Sequence, residues 1–168
     1  IATSEKQWEK AARGETANEY PWGMEFHSNY ANLSTKPGSK NSLSPVGSHP
    51  RSATPLGVHD LIGNVWEWVE DNYSPYKGSS YQSKNFSDTL KVLRGQSSKD
   101  IGHFPGATYL SAMKMFSRSS YRESSHPDQI EIDVGFRCAS KKIPKAIKLA
   151  NLSNSNQPSN LKKTSAIE

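Results

Sequence analysis

Two carboxylates flank a glycine in the apolar centre of the chain, which reads DLIGNVWE from Asp60 to Glu67. Calcium takes about six to eight oxygen ligands and accepts carbonyls as well as carboxylates. The side chains of Asp60 and Glu67, together with the carbonyls of Gly63 and Val65, can supply most of such a shell. The alternative, from the residues alone, is an Asp60 that caps a turn and a Glu67 that faces water.

The other reactive side chains are isolated. Cys138 is the only cysteine, so it has no internal disulfide partner and cannot supply a zinc or iron–sulfur site by itself. We interpret it either as a small buried hydrophobe or as half of a disulfide to sequence outside this chain. Ser97 and Ser98 precede His103, but no orienting acid can be inferred, so nucleophilic catalysis is not favoured.

The five histidines lack the i, i+4 spacing of a helical metal site. We expect a loop or turn position for each of them. They are His27, His49, His59, His103 and His126.

The net charge of +5 comes from the end of the chain. Six of the 21 basic residues, but only one of the 16 acidic residues, follow Ser140. The part before Ser140 is electrically balanced, which argues against a nucleic-acid-binding surface. No apolar run approaches the roughly 20 residues that span a bilayer, so no transmembrane segment is expected.

The chain opens with a helix signal. Ser4 and Gln7 form a capping box, Trp8 and Ala12 follow at helical spacing, and Gly14 is a typical helix end. From residue 20 to residue 55 no hydrophobic period persists, which predicts a long loop region.

Strand signals follow the loop region. Trp66 and Trp68 alternate about Glu67, as on a strand with two unlike faces. Further strands are predicted at 91–94 and at 130–138, the second interrupted at Gly135. Short strands with one early helix indicate the α+β class, and a hydrophobic content of 33% with frequent Ser, Gly and Pro predicts a loop-rich fold.

The length suits one domain. We expect this domain over residues 1–140, followed by a basic polar tail at 141–168 through which protein partners bind. Because the chain opens on Ile1, directly before a helix signal, we also expect the N-terminal part of the domain to be missing.

Eight stretches resemble, in order, landmarks of the formylglycine-generating enzyme or sulfatase-modifying factor family. The first is TSEKQWEKAARG at 3–14. The others are YPWG at 20–23, YAN at 30–32, PVGS at 45–48, LGVHDLIGNVWEW at 56–68, VLRG at 92–95, RSSYR at 118–122 and GFRC at 135–138. Any one of these words is weak, but their shared order is specific.

The resemblance implies a C-type-lectin-like α+β fold with short antiparallel strands and few helices. It implies that the matching tryptophans, Trp8, Trp22, Trp66 and Trp68, mostly build the core. A periplasmic or extracellular location is expected from the same resemblance.

The resemblance also implies structural calcium. Asp60, Gly63, Val65 and Glu67 match the ligand positions of one family site. Asn32 and Leu33 match part of a second site, but the downstream aspartate is absent, since residues 36–44 contain two lysines and no carboxylate.

The family's oxidase binds copper(I) through two cysteines after an Arg-Gly-Gly-Ser element, which here reads Arg94-Gly95-Gln96-Ser97. By the family's spacing the thiolate positions fall on Asp100 and Pro105, neither of which is a soft ligand, so no copper is expected. The leading hypothesis is a non-catalytic binding or structural module, a subunit of an exported assembly. The alternatives are an oxidase-like enzyme acting on protein cysteines and a lectin-like ligand binder.

Overall fold

The computed structural model describes residues 2–39 and 42–141. The chain divides into two compact units, Ile1–Cys138 and Ala139–Glu168. The helices and strands below all belong to the first unit, and only residues 139–141 of the second unit are described. Almost all of the predicted basic tail, residues 142–168, therefore lies outside the described residues.

The first helix, α1, spans Glu5–Arg13, as its capping signal predicts. The backbone N–H of Gln7 donates to the Ser4 hydroxyl at 3.3 Å, and that of Ser4 donates to the Gln7 side chain at 3.0 Å. Gly14 ends the helix with a positive φ of 63°. Trp8 and Ala12 lie on its buried face, so the helix prediction is confirmed.

Four strands form one mixed sheet in the order β3-β2-β1-β4. They are β1 at Trp66–Tyr73, β2 at Ser87–Arg94, β3 at Glu123–Ser125 and β4 at Val134–Phe136. Strand β2 runs antiparallel to both β1 and β3, whereas β4 runs parallel to β1. A short 3-10 helix at Pro50–Ser52 interrupts the long loop region before β1.

Strand β1 has two unlike faces, but the acidic residue lies on the buried one. Glu67 and Val69 are buried, while Trp66 and Trp68 are half-buried. Trp22 is also half-buried, so Trp8 alone among the four tryptophans lies fully in the core.

The strand predicted at 130–138 is wrong in its bounds. Only Val134–Phe136 pairs, and the strand passes through Gly135 instead of breaking there. Strand β1 begins at Trp66, opposite Val134, so no residue of β1 is available to pair with the preceding segment. Ile130 and Ile132 consequently lie outside the sheet and are exposed.

The sequence reasoning missed a second helix, α2, at Gly106–Phe116. Its buried residues Tyr109, Ala112 and Met113 have the i, i+3, i+4 spacing that could have revealed it. The core joins both helices, β1, β2 and the loop before β1, and it includes Trp8, Leu61, Ile62, Val92 and Met113. Two helices, short strands and long loops confirm the α+β, loop-rich class. Within the described ranges no helix is long and apolar enough to cross a membrane.

Candidate functional site

Arg137, directly after β4, holds both oxygens of Glu67. Its Nε donates to Oε2 and its Nη2 donates to Oε1, each at 2.6 Å. The indole Nε1 of Trp8 also donates to Oε2, at 2.7 Å. Glu67 is buried, so this carboxylate is paired with a cation and hydrogen-bonded, as a buried charge requires.

The Arg137 guanidinium also donates hydrogen bonds to backbone carbonyls at the start of the DLIGNVWE segment. Arg137 Nη2 donates to the Asp60 carbonyl at 2.9 Å, and both Nη atoms lie 3.2 Å from the His59 carbonyl. The Asp60 carboxylate accepts the N–H of Gly47 at 2.7 Å. The Gly63 carbonyl accepts the N–H of Val65 at 2.9 Å.

The predicted calcium ligands Asp60, Gly63, Val65 and Glu67 therefore do not present an open oxygen shell in this arrangement. The cation beside Glu67 is a guanidinium, and calcium would have to compete with it for the carboxylate. Among residues 2–39 and 42–141, no three His, Cys, Asp or Glu side chains converge as a metal-binding group. Calcium binding stays a prediction.

The structure brings Asn32 and Leu33, assigned to the second calcium site, close to the first site. The Asn64 N–H donates to the Asn32 carbonyl at 2.9 Å, and Asn32 Nδ2 donates to Asn64 Oδ1 at 3.1 Å. Asn32 Nδ2 also donates to the Ser42 carbonyl at 2.9 Å. Asn32 and Leu33 are both buried, so in this structure they tie two loops together.

Asp100 and Pro105, the positions that the sequence resemblance assigns to thiolates, have structural roles. Asp100 Oδ2 accepts the Gly38 N–H at 2.6 Å, and Oδ1 accepts the Tyr109 hydroxyl at 2.9 Å and the Gly102 N–H at 3.0 Å. The hydrogen bond from Gly38 is the largest effect on the pKa of Asp100 and lowers it; burial opposes this, and the hydrogen bonds from Tyr109 and Gly102 lower the pKa further. Pro105 stands at the N-cap of α2, where its carbonyl accepts the N–H of Tyr109 at 2.9 Å.

Beside Asp100 lies a pocket of about 270 Å³, here called the acid-aromatic pocket. Its aromatic walls are Trp66, Phe116 and Tyr121. The ring centroids of Phe116 and Tyr121 are 4.9 Å apart, and those of Trp66 and Tyr121 are 6.2 Å apart. The three rings come from β1, from α2 and from the segment before β3, so the fold itself assembles this wall.

Among the residues that the structure describes, four carboxylates and one ammonium group complete the charged lining of the acid-aromatic pocket. The acids are Asp100, Glu123, Glu131 and Asp133, and the base is Lys99. Asp133 is buried and its Oδ1 forms an ion pair with Lys99 Nζ. Glu123 accepts the Tyr121 hydroxyl at 3.2 Å, and burial, then the Glu123 charge, raises the pKa of Tyr121.

The isolated reactive residues do not assemble into a second site. Cys138 lies beyond the end of β4, in an isolated bridge to Ala2, and is exposed, so its interpretation as a small buried hydrophobe is wrong. Ser97 is buried, whereas His103 is exposed. The five histidines lie outside the helices and sheet strands, as expected.

A buried ionic network under α1 escaped the sequence reasoning. Arg94 is completely buried, donates to Glu9 at 2.7 Å and to Glu5 at 3.3 Å, and stacks on Trp8 with its Cζ 5.0 Å from the ring centroid. Its guanidinium also donates to the carbonyls of Ser119 and Ser120.

Arg122 closes this network from the other side. It donates to both oxygens of Glu5, at 2.6 and 2.9 Å. Burial lowers the pKa of Arg122 and is the largest single effect, but the hydrogen bonds and charge of Glu5, with smaller contributions from Tyr76 and Tyr73, together raise it, so the guanidinium stays charged. The sequence signal that could have revealed this network is the arginine in each of two landmark stretches, Arg94 in VLRG and Arg122 in RSSYR.

A groove of about 730 Å³ lies over this network. Its lining includes Glu5, Tyr76 and Arg122, and among the described residues four acidic and five basic side chains line it in all. Burial, followed by the Glu5 charge, raises the pKa of Tyr76 to about 12, so its hydroxyl stays protonated and donates to Glu5 at 3.1 Å. The mixed charge of the groove favours no single class of ligand.

The sheet and the loop-rich α+β architecture have counterparts among known proteins. Residues 3–142 match the sulfatase-modifying factor enzyme 1-like domain. The chain belongs to this family.

The chain is similar in sequence to two curated relatives and in structure to one solved protein. It is 34% identical over 146 residues to the protein named inactive C-alpha-formylglycine-generating enzyme 2 of Mus musculus, with 82% of this chain and 42% of the relative covered. It is 31% identical over 147 residues to hercynine oxygenase of Mycobacterium tuberculosis, with 81% and 31% covered.

The solved structure is PvdO from Pseudomonas aeruginosa, with a TM-score of 0.56 and 28% identity over 81% of this chain and 50% of that one. The chain thus spans half or less of the length of each of these three proteins.

Proposed function

We propose that this chain is a non-catalytic binding and structural module that keeps the sulfatase-modifying factor scaffold. The observation that carries the proposal is the use of positions 100 and 105. Asp100 joins the loop at Gly38 to Tyr109 of α2, and Pro105 begins that helix. Neither residue offers the soft sulfur ligand that stabilises copper(I).

Two further observations support this proposal. One relative at 34% identity carries the word inactive in its name. The acid-aromatic pocket beside Asp100 is also open to solvent and lined by side chains suited to binding, which gives the module a place for a ligand.

We further propose that the protein works as a subunit of an exported assembly, with residues 141–168 as the contact to its partner. The charge of this segment supports the proposal, because the excess of basic residues lies there. Native purification followed by mass measurement tests it. A complex larger than the single chain is expected, and a monodisperse monomer would contradict the subunit role.

A peptide assay tests the non-catalytic claim. The purified protein is incubated with copper, oxygen and a cysteine-containing peptide, and the peptide mass is measured for conversion of the thiol to an aldehyde. An active formylglycine-generating enzyme serves as the positive control in parallel. No aldehyde is expected from this protein, and repeated turnover would establish the oxidase alternative instead.

Calcium binding at Asp60–Glu67 is tested by removing the Arg137 guanidinium, which competes with calcium for Glu67. If calcium takes Glu67, millimolar calcium raises the melting temperature of the wild type and raises that of Arg137→Met more, because the guanidinium no longer competes. Glu67→Gln in the same titration gives the matched control. The same melting temperature with calcium and with chelator in all three proteins would end the calcium hypothesis.

The lectin-like alternative rests on the fold alone. Glycan-array binding that a chelator abolishes would favour it over the present proposal.

A further inference from the structure

We infer that the acid-aromatic pocket binds a primary ammonium group on an apolar stem, the group that a lysine side chain or a chain terminus carries. The inference rests on the proposed binding role and names the ligand class. It is drawn from the chemistry of the walls and from the position of one lysine of the chain.

Lys99 shows what the pocket accepts. Its ammonium forms an ion pair with Asp133 Oδ1, which accepts from no other donor among the described residues. The Asp133 side chain is only 6% exposed, whereas the Lys99 side chain is 47% exposed. A buried carboxylate is thus balanced by an ammonium on a flexible stem that reaches in from the surface. A ligand ammonium can replace it without leaving Asp133 unpaired.

The walls suit the remainder of such a ligand. Trp66, Phe116 and Tyr121 line the pocket, and aromatic rings attract a cation and give apolar surface to its methylene stem. The Tyr121 hydroxyl donates a hydrogen bond to Glu123. Tyr121 therefore contributes its ring, and not a free hydroxyl, to the lining of the pocket.

The charge balance selects against other ligands. The described part of the chain lines the pocket with four carboxylates and one ammonium, so an anion would meet net repulsion from them. Asp100 is already used by Gly38, Gly102 and Tyr109, which leaves Glu131, an exposed residue at the rim, to attract the incoming cation. The volume of about 270 Å³ suits a side-chain-sized group better than a whole cofactor.

The binding test follows the indole N–H of Trp66 by two-dimensional NMR during titration. Nα-acetyl-lysine methylamide presents only the side-chain ammonium, and alaninamide presents only the α-ammonium. The control is Nα,Nε-diacetyl-lysine methylamide, which keeps the stem and removes the charge. Saturable shifts with a charged probe and none with the diacetylated probe are expected, and the tighter of the two charged probes identifies the source of the ammonium.

Two substitutions should change affinity in opposite directions. Lys99→Met removes the internal competitor and should tighten binding by about threefold, while Glu131→Gln removes a rim charge and should weaken it by about threefold. Asp88→Asn, an exposed carboxylate outside the pocket, should leave affinity unchanged. Because Glu131 is exposed, its substitution remains informative even where Lys99→Met impairs folding.

The inference is overturned by the absence of saturable binding of both charged probes, or by equal binding of the diacetylated probe. Either result can occur without aldehyde formation, so the ligand class can fail while the non-catalytic role stands. Aldehyde formation in the peptide assay would instead overturn the role itself, whatever the amine titration gives.

Discussion

Arginine side chains join parts of this molecule that are far apart in the sequence. Arg94 links β2 to α1 and to the turn before β3, Arg122 links that turn to α1, and Arg137 links the end of β4 to β1. Each guanidinium holds at least one carboxylate and one backbone carbonyl. The planar, multiply donating guanidinium fits this role, which the single point charge of lysine cannot fill.

Replacing Arg94 by methionine should be strongly destabilising. The substitution removes a fully buried guanidinium from Glu5 and Glu9, and breaking a buried pair costs about 3–5 kcal/mol. Urea denaturation measures the free energy of unfolding. The matched control is Arg118→Met, since Arg118 is 51% exposed and pairs with Glu19 at the surface, and it should cost less than about 1 kcal/mol.

Equal losses in these two variants would contradict the account of Arg94 as the centre of a buried network.

Asp100 should make stability depend on acid. Its pKa is lowered in the folded state, first by the Gly38 hydrogen bond, so its contribution is present above its unfolded pKa of about 3.9. The contribution is lost as the pH falls through the lower, folded value. Urea denaturation from pH 6 to pH 3 should therefore show a steeper loss for the wild type than for Asp100→Asn.

Parallel curves for the two proteins over this pH range would show that Asp100 does not stabilise the loop at Gly38.

At the scale of elements, glycines set how closely the loop before β1 approaches its neighbours. Gly63 has a φ of 84°, and a Cβ there would lie 2.7 Å from the Asn32 carbonyl oxygen. Gly95 has a φ of 96°, and a Cβ there would lie 2.6 Å from the Leu61 carbonyl oxygen. The Gly63 N–H donates to the Gly95 carbonyl at 2.8 Å, so a hydrogen bond joins the two glycines at which the backbones approach closely.

Gly63→Ala should therefore destabilise more than Gly102→Ala. Both positions have a positive φ, which costs an alanine about 1–2 kcal/mol. A Cβ on Gly102 would meet nothing within 4 Å, whereas one on Gly63 forces the backbone of Asn32 to move. We expect the free energies of unfolding to differ by at least about 1 kcal/mol. Identical unfolding midpoints would mean that this loop can relax away from Asn32.

The elements also separate what sequence reasoning can predict from what it cannot. Local signals sufficed for α1, whose cap, buried face and end all lie within Ser4 to Gly14, and for the end of β2 at Arg94. Strand β3 is three polar residues without alternation, and it forms because β2 offers an open edge. The bounds of β4 depend on where β1 begins, which no window around Gly135 contains.

The candidate sites were likewise predictable only where their residues are close together in the sequence. The DLIGNVWE segment was recognisable because its carboxylates are close in sequence. The ion pair between Arg137 and Glu67 could not be predicted, since 70 positions separate the two residues. The acid-aromatic pocket draws its rings from three separate segments, so sequence alone did not indicate it.

At the scale of the whole molecule, the family landmarks turn out to be mainly structural. VLRG supplies Arg94, RSSYR supplies Arg122, and GFRC supplies Arg137, which together hold α1, β1 and the turns in place. Asp100 and Pro105, which the sequence resemblance assigns to the oxidase cysteines, hold a loop and begin a helix. In this chain those two positions therefore serve the scaffold.

Copper(I) competition tests this account most directly. The protein is titrated into a copper(I) complex with a coloured chelator, and withdrawal of copper is followed by absorbance, with Cys138→Ser to remove the one exposed thiol. The account predicts that Cys138→Ser leaves the chelator complex intact, and that any withdrawal by the wild type is weak and comes from Cys138. Stoichiometric withdrawal by the Cys138→Ser variant would contradict it, because a copper(I) site would then exist without any cysteine.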